Sequence, residues 1–394
     1  QERHFYFTAS GDSVGVITAE SGTSGSLFQN LISFPTGRDN LRQGSVDLMN
    51  LLASLGDMDV DGVANGPDFD TSRVYFIGHS LGAVNGLPFL TVNNLTADTT
   101  GQPKVKAAAV LNSGGFVTEL LLNSPSPAFG APRILAGLAA AGLTQGDSDL
   151  EVFMNVLQGI LDSGDSMNFA ESLGDGDMSV LLTEIVGGDP VNVYPGERFV
   201  DPLPAGGAIC TEEDVEQEGC VTEVTPSDQT VPNAADQDVW GVAPLSNAYD
   251  APGSGKNAGD PWMINGQAIS VVPLTGTPLA GTEPMVNLLG AAITAEASAS
   301  NGKLISVTRF TRGDHANPIT GGVTEATDSD GNPVVGNKFS SERVFSEMTV
   351  QIGSLFATHP SGTPSVTVSD GCVIEDSASN DRSATSGCPL GEFQ

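Results

Sequence analysis

The sequence predicts an α/β fold built around a mostly parallel sheet. A short β-rich run at residues 73–77 stops at Gly78, and a helical segment begins at Ala83. A second buried run with β character follows at residues 106–111. A strand, a tight turn, a helix and another strand in that order are typical of parallel α/β sheets.

Further predicted elements lie on both sides of this unit. Apolar residues recur at helical spacing between Arg38 and Leu55 and again between Ser341 and Phe356, which predicts a helix at each place. Two more sheet-like runs occur at residues 180–186 and 304–310. Pro88 is expected to shorten or kink the helix that begins at Ala83, because proline lacks a backbone N–H.

Residues 117–175 differ from their surroundings, since they are helical and apolar with few strand signals. Two packed core helices would explain the pattern, but a position between two sheet strands favours an inserted cap over a site. The predicted organisation is therefore a core at 1–116, a cap at 117–175, a continued core at 176–358 with a disulfide-bearing insert, and a disulfide-pinned tail at 359–394.

Composition limits the partners of this protein. The 394 residues include 48 acidic and 15 basic side chains, and the net charge is −33. Such a surface repels nucleic acid and anionic lipid head groups, so no nucleic-acid partner is expected. No run of about 18 apolar residues is present, which argues against a transmembrane helix in this chain. The first residues also lack the pattern of a signal peptide.

Cysteine usage indicates an oxidising compartment. The four cysteines form two close pairs in sequence, Cys210 with Cys220 and Cys372 with Cys388. An even number with local pairing favours two disulfides and a secreted protein, and neither pair has the C-x-x-C spacing of a metal site.

The motif with the clearest chemical meaning is GHSLG at residues 78–82, which follows a β-run and precedes a helix. A nucleophilic serine in this context sits on a strained turn, so its neighbours two residues away, Gly78 and Gly82, are expected to be small for steric reasons. Ser80 is then the nucleophile, and the backbone N–H of Leu81 is an oxyanion-hole donor. The alternative is a helix N-terminus that happens to contain a serine.

A serine nucleophile needs a histidine base, and the chain has four histidines. His79 lies inside the motif, His4 precedes the sheet and His359 follows the last helix. His315 stands in the loop after the strand that ends at Phe310, where this type of site has its base, so His315 is the predicted base.

The acid is less clear from strand positions. In chain order it falls between the serine and the histidine. Asp189 directly follows a predicted strand, and Asp228 lies in a turn that continues into Val-Pro. Asp314 adjoins His315 and would fold back onto that ring with difficulty. Strand position alone leaves Asp189 and Asp228 equally favoured.

At this point the chain resembles a known family, the large bacterial extracellular and surface-anchored lipases of the α/β-hydrolase superfamily. The stretches that carry the resemblance are GRDNLRQG at 37–44, VYFIGHSLGA at 74–83, PLAGTEP at 278–284 and RFTRGDH at 309–315. The resemblance implies the α/β-hydrolase fold, carboxylic ester or lipid substrates with acyl chains, and no organic cofactor. It also implies that the acid lies in an Asp-x-x-Val-Pro turn, which favours Asp228 over Asp189.

The chain departs from the family pattern before the motif. Such folds have several strands ahead of the nucleophile, and a loop after one of them, usually with a His-Gly pair, supplies the second oxyanion donor. The segment ahead of Ser80 has no His-Gly dipeptide. We therefore expect the N-terminal strands to be missing here and to be supplied by an upstream fragment of the same protein or by a partner chain.

A weaker signal is an acidic loop. Asp57, Asp59 and Asp61 occupy positions 1, 3 and 5 of a calcium-loop pattern, with Gly62 at position 6 and Asp68 at position 12. The pattern matches a structural calcium site. A solvated acidic turn is nevertheless the favoured interpretation, because the twelfth residue is not the longer, bidentate glutamate.

These observations favour a bacterial serine esterase or lipase that is secreted, periplasmic or on the outer surface, with aliphatic polyesters among its candidate substrates. Two alternatives stay open. One is a non-catalytic surface or adhesive protein on a hydrolase scaffold, and the other is a thioesterase or peptidase of the same fold, because a fold and a triad do not define the acyl group.

Overall fold

The computed structural model describes most of the predicted core. The longer described stretches are residues 33–63, 66–123, 131–144, 147–185, 280–293, 296–299, 301–310 and 338–374. The shorter described pieces are residues 7–10, 13–16, 28, 208–209, 220–221, 262–264, 267–269, 318–319, 326–327 and 333–334.

The described elements alternate between strands and helices over most of the chain. The helices are α1 (Phe34–Ser54), α2 (Leu81–Thr100), α3 (Val117–Asn123), α4 (Ala131–Ala140), α5 (Ser148–Leu161), α6 (Met167–Asp175), α7 (Glu283–Leu289) and α8 (Lys338–Thr358). The strands are β1 (Phe7–Ser10), β2 (Ser13–Val16), β3 (Val74–His79), β4 (Val105–Leu111), β5 (Ser179–Ile185), β6 (Ala208–Ile209), β7 (Cys220–Val221), β8 (Trp262–Ile264), β9 (Gln267–Ile269), β10 (Ala292–Ile293), β11 (Ala297–Ser298), β12 (Ile305–Phe310), β13 (Ala326–Thr327), β14 (Pro333–Val334) and β15 (Ser365–Val366).

A five-stranded parallel sheet forms the centre of the described structure. Its strand order is β10-β12-β5-β4-β3, and each neighbouring pair is parallel. The predicted α/β class and parallel sheet are therefore confirmed. Because the strands are parallel, the carboxyl ends of β3, β4, β5 and β12 all lie at one edge of the sheet.

Helices cover both faces of this sheet. On one face Val110, Val180 and Leu182 share a core cluster with residues of α1, α2, α6 and α7. On the other face Ala107 and Leu181 pack with Leu355 of α8. The two sets alternate along each strand, because successive side chains point to opposite faces. The core is thus a three-layer arrangement of helix, sheet and helix.

Three of the helices between β4 and β5, namely α3, α4 and α5, form a second apolar cluster. Buried side chains of α3, α4 and α5 pack together and against Leu41 of α1 and Val84 of α2. Phe153 of α5 meets Phe34 of α1 edge to face, with ring centroids 4.8 Å apart. The predicted helical insertion between two sheet strands is present, and it rests on the two helices nearest the GHSLG turn. Its role as a cap remains a prediction.

Pro88 was expected to shorten or kink α2. The helix continues to Thr100 with Pro88 in its interior, so the expected shortening is wrong, and a kink remains a prediction. The lost hydrogen bond is offset by burial, since Leu87, Phe89 and Leu90 beside Pro88 are all buried in the core. Tertiary packing here outweighs local helix propensity.

The chain after α8 contributes a short strand and several buried side chains. β15 pairs antiparallel with β11, and Val366, Val373 and Ile374 are buried. The predicted cysteine pairs remain predictions, because Cys210 and Cys388 lie outside the described residues. No described helix combines the length and the hydropathy that a bilayer crossing requires.

A buried carboxylate joins helices α3, α5 and α6. Asp165 is fully buried and accepts hydrogen bonds from the backbone N–H groups of Phe116, Val117 and Met167, at 2.9, 2.8 and 3.0 Å. The side-chain amide of Gln158 donates a fourth hydrogen bond at 2.9 Å. The N–H groups at the start of a helix have no intrahelical acceptor, so Asp165 satisfies donors at the starts of both α3 and α6.

We expect Asp165→Ala to lower the free energy of unfolding by about 3 kcal/mol or more, because several buried N–H groups lose their acceptor together. Urea unfolding followed by circular dichroism measures the change. Glu171→Ala, an exposed position on the same helix α6, is the control and should change stability by no more than about 0.5 kcal/mol. Similar effects for both variants would contradict this account.

Candidate active site

The turn between β3 and α2 holds Ser80 in a strained backbone conformation. Its φ is 55° and its ψ is −126°, outside the regions that residues with a Cβ normally occupy. The Ser80 N–H donates to the Leu111 carbonyl at 3.0 Å, so the turn is attached to the end of β4. Ser80 is only partly buried. The strained strand-to-helix turn that the motif predicts is present.

This geometry differs from an ordinary helix cap. A capping serine has extended backbone angles, and its hydroxyl accepts a hydrogen bond from one of the first helical N–H groups. Ser80 has a positive φ, and its side chain makes no capping hydrogen bond. The alternative of a simple helix-start serine is therefore disfavoured on geometric grounds.

The two glycines of the motif have different roles. A Cβ on Gly78 would lie 2.6 Å from a ring carbon of Phe76 and 2.9 Å from the Gly82 carbonyl oxygen. A Cβ on Gly82 would meet no described atom within 4 Å. The expectation that both glycines are required for steric reasons is thus wrong for Gly82, whose side-chain position lies on the open side of α2.

An aspartate stabilises the turn that leads into β3. Asp70 accepts hydrogen bonds from the Ser72 hydroxyl and backbone N–H, and from Nε of Arg73. These hydrogen bonds, from Ser72 first and Arg73 second, lower the pKa of Asp70 to about 2. The carboxylate therefore stays ionised to a lower pH than an ordinary aspartate.

The start of α2 provides backbone donors beside Ser80. The N–H groups of Ala83 and Val84 both donate to the Ser80 carbonyl at 2.9 Å. Leu81 stands at the first helical position, where an N–H has no acceptor within the helix. Such a group, at the positive end of a helix dipole, can stabilise an oxyanion.

The carboxyl edge of the sheet carries a row of polar residues beside Ser80. The register pairs His79 with Leu111, Leu111 with Thr183, and Glu184 with Arg309. One residue beyond His79, Leu111 and Thr183, the row across the sheet consists of Ser80, Asn112, Glu184 and Arg309. Only Ser80 of this row is a predicted site residue. The local sequence of a strand does not show which residues become its neighbours across a sheet.

The loop after β4 adjoins this row and is held in place on several sides. Gly115 exchanges two backbone hydrogen bonds with Gly281, at 3.1 and 3.2 Å. The hydroxyl of Thr282 donates to the Ser113 carbonyl. Residues 280–282 belong to the PLAGTEP stretch that the sequence analysis singled out, so that stretch lies against the loop that follows the strand next to Ser80.

Of the described histidines, His359 lies far from Ser80. His359 packs against Tyr75, near the start of β3, with ring centroids 6.1 Å apart. Tyr75 is five residues before Ser80, about 16 Å away along the strand, so His359 is too distant to be the base. Burial, and then the positive charge of Lys106, lowers the pKa of His359. His79 ends β3 in register with Leu111.

The other predicted triad members lie outside the described residues. These are His315, Asp228 and the alternative acid Asp189. The strands that lead to them are described, since β5 ends at Ile185 and β12 ends at Phe310. Both ends lie at the same edge of the sheet as Ser80.

The acidic loop between α1 and β3 brings three carboxylates together. Oxygen atoms of Asp59, Asp61 and Asp68 lie within 4.8 Å of one another, and all three residues are exposed. Asp57 is not part of this group. Carboxylate oxygens are the ligands that calcium prefers, and three of the four predicted ligands lie close together. Exposed acidic groups also cluster without an ion, and calcium binding remains a prediction.

Comparisons of the chain with protein-family models, with curated proteins and with solved structures found no match.

We expect Gly78→Ala to destabilise the protein by about 2 kcal/mol, because the new methyl group would overlap Phe76 and the Gly82 carbonyl. Gly82→Ala is the matched control. It should be neutral or should stabilise α2 by up to about 1 kcal/mol, since alanine has the higher helix propensity. Urea midpoints of the two variants test this, and equal losses would contradict the proposed geometry.

The calcium interpretation predicts that a hundred-fold excess of calcium over its Kd stabilises the protein by about 2.7 kcal/mol. Thermal unfolding with calcium and with EDTA measures this effect. Sodium chloride at equal ionic strength is the first control, because salt alone screens a net charge of −33. An equal gain in the Asp59→Asn/Asp61→Asn double variant would contradict a site at this loop.

Proposed function

We propose that this protein is a secreted bacterial serine carboxylic-ester hydrolase with an α/β-hydrolase fold. The observation that carries the proposal is the conformation of Ser80, a non-glycine residue with φ 55° and ψ −126° between a parallel strand and a helix. Backbone strain of this kind costs about 1–3 kcal/mol and is concentrated at functional sites. A non-catalytic surface protein on the same scaffold has no physical need for it, which disfavours that alternative.

In the proposed mechanism the Ser80 hydroxyl attacks the ester carbonyl, and His315 accepts its proton. The carbonyl oxygen becomes an oxyanion, which the Leu81 N–H stabilises. His315 then donates the proton to the departing alcohol as the acyl-enzyme forms. Water, activated by the same histidine, hydrolyses the acyl-enzyme and restores Ser80. No metal or organic cofactor takes part in these steps.

The chain order supports a triad of serine, acid and histidine. Ser80 follows β3, the candidate acids follow β5 and His315 follows β12, and these strands end at one edge of the sheet. We assign the acid to Asp228, with Asp189 as the alternative. The acid would orient His315 and stabilise its charged form.

Two further features concern the substrate and the second oxyanion donor. The apolar helices α3, α4 and α5 pack next to α2, which supports an acyl chain as the bound group, including that of an aliphatic polyester. β3 is an edge strand among the described residues, and Ile77 in it is 57% exposed. An upstream segment that pairs with β3 would cover this edge and supply the second donor. A thioesterase or peptidase activity would use the same residues on another acyl group.

We expect Ser80→Ala and His315→Ala each to lower kcat for a p-nitrophenyl acyl ester by about 10⁴-fold or more. A fluorophosphonate probe should label Ser80, with the adduct located by peptide mapping. Ser54→Ala, on the exposed face of α1, is the control and should keep wild-type turnover. Full activity in Ser80→Ala would overturn the proposal.

The same assay separates the two candidate acids. Asp228→Asn should lower kcat by about 10⁴-fold, as loss of a triad acid does, while Asp189→Asn should leave it nearly unchanged. The reverse result would move the acid to Asp189 and would contradict the assignment that the Asp-x-x-Val-Pro turn favours.

A further inference from the structure

A buried ion pair joins β5 and β12 at the edge where these strands end. Nε of Arg309 lies 2.7 Å from Oε1 of Glu184, and the two side chains are 12% and 0% exposed. The two residues are register partners in the sheet. Each is the last residue but one of its strand, before Ile185 and Phe310 respectively.

This position is unusual for charged residues, because Glu184 is fully buried and Arg309 is nearly so, and charged side chains are rarely buried. Removing two charges from water costs several kcal/mol per ion, so a buried ion pair is weak evidence of a contribution to stability. Two apolar side chains would hold β5 and β12 together at least as well. The charged pair is better explained by a role in positioning. Its hydrogen bond is directional, so it restricts how the ends of β5 and β12 can shift relative to each other.

The pair continues a set of cross-strand hydrogen bonds that ends at Ser80. The Asn112 N–H donates to the Thr183 carbonyl at 3.0 Å, and the Thr183 hydroxyl donates to Oδ1 of Asn112 at 3.2 Å. The Ser80 N–H in turn donates to the Leu111 carbonyl. Polar contacts therefore connect the ends of β3, β4, β5 and β12 in sequence across the sheet.

We propose that Glu184 and Arg309 are positioning residues that hold the acid loop and the histidine loop in register with Ser80. This inference rests on the proposed function, in which the acid follows β5 and His315 follows β12. Neighbouring strands are about 4.8 Å apart, so the Glu184 backbone is about 10 Å from that of Ser80. The pair is thus too far from the reacting atoms to be catalytic, and it acts through the loops that follow it.

The test is steady-state turnover of p-nitrophenyl butyrate by Glu184→Gln, Arg309→Met and Arg309→Lys, beside wild type and Ser80→Ala. Misplacement of catalytic groups by about 1 Å can cost about 100-fold, so we expect the first two variants to lose about 100-fold in kcat. KM should change by no more than about 2-fold, because the acyl-binding surface is not altered. Arg309→Lys keeps the charge without the planar fork, and its kcat should lie between those of wild type and Arg309→Met.

A control comes from the ion pair between Lys104 and Asp98, which are 2.8 Å apart with side chains 33% and 84% exposed. Lys104 directly precedes β4, so the pair lies at the sheet edge opposite to the ends of β5 and β12. Asp98→Asn should change the urea midpoint little and leave kcat within about 2-fold of wild type, because exposed ion pairs contribute little. The rate at which a fluorophosphonate labels Ser80 provides a second readout, and it should fall in parallel with kcat for the Glu184 and Arg309 variants.

The outcomes separate the inference from the function on which it rests. A wild type without Ser80-dependent turnover would overturn both. An active wild type with wild-type kcat in folded Glu184→Gln and Arg309→Met would overturn the positioning role alone. Should either variant fail to fold, Arg309→Lys decides, because wild-type kcat in that variant together with a reduced urea midpoint would identify the pair as structural only. An equal loss of kcat in Asp98→Asn would also overturn the inference.

Discussion

The parallel register of β3, β4, β5 and β12 is the constraint on which the rest of the structure depends. Parallel pairing requires each strand to be followed by a connection that returns to the opposite edge, so all strands end on the same side. Residues far apart in the chain therefore become neighbours there, as Glu184 and Arg309 do. The proposed triad and the proposed positioning pair both depend on that edge of the sheet.

The strained backbone conformation of Ser80 is supported by contacts from other parts of the chain. Ser80 keeps its positive φ because β4 accepts its N–H and because Gly78 leaves room for the approach of α2. The loop after β4 is fastened by Gly281 and Thr282 from a distant part of the sequence. A strained residue persists only where its surroundings restrict it in this way, and these contacts also define the space above the serine.

The helical insertion is attached to the same framework rather than being an independent unit. Asp165 joins the starts of α3 and α6 with hydrogen bonds to the backbone, and the apolar faces of α3, α4 and α5 complete a cluster with Leu41 and Val84. Any substrate bound between the insertion and the sheet edge would be close to the start of α2. The insertion thus places an apolar cluster beside the start of α2.

The sequence alone determined the class of the fold, the main strands and helices, and the position of Ser80 in a strand-to-helix turn. Those features depend on local periodicity and on a short motif, and both are visible along the chain. The tertiary structure decided that α2 continues past Pro88, that Gly82 is not required for steric reasons, and that Glu184 pairs with Arg309. These features depend on burial and on cross-strand register. Register in particular brings together residues that are more than a hundred positions apart in the chain, such as Glu184 and Arg309.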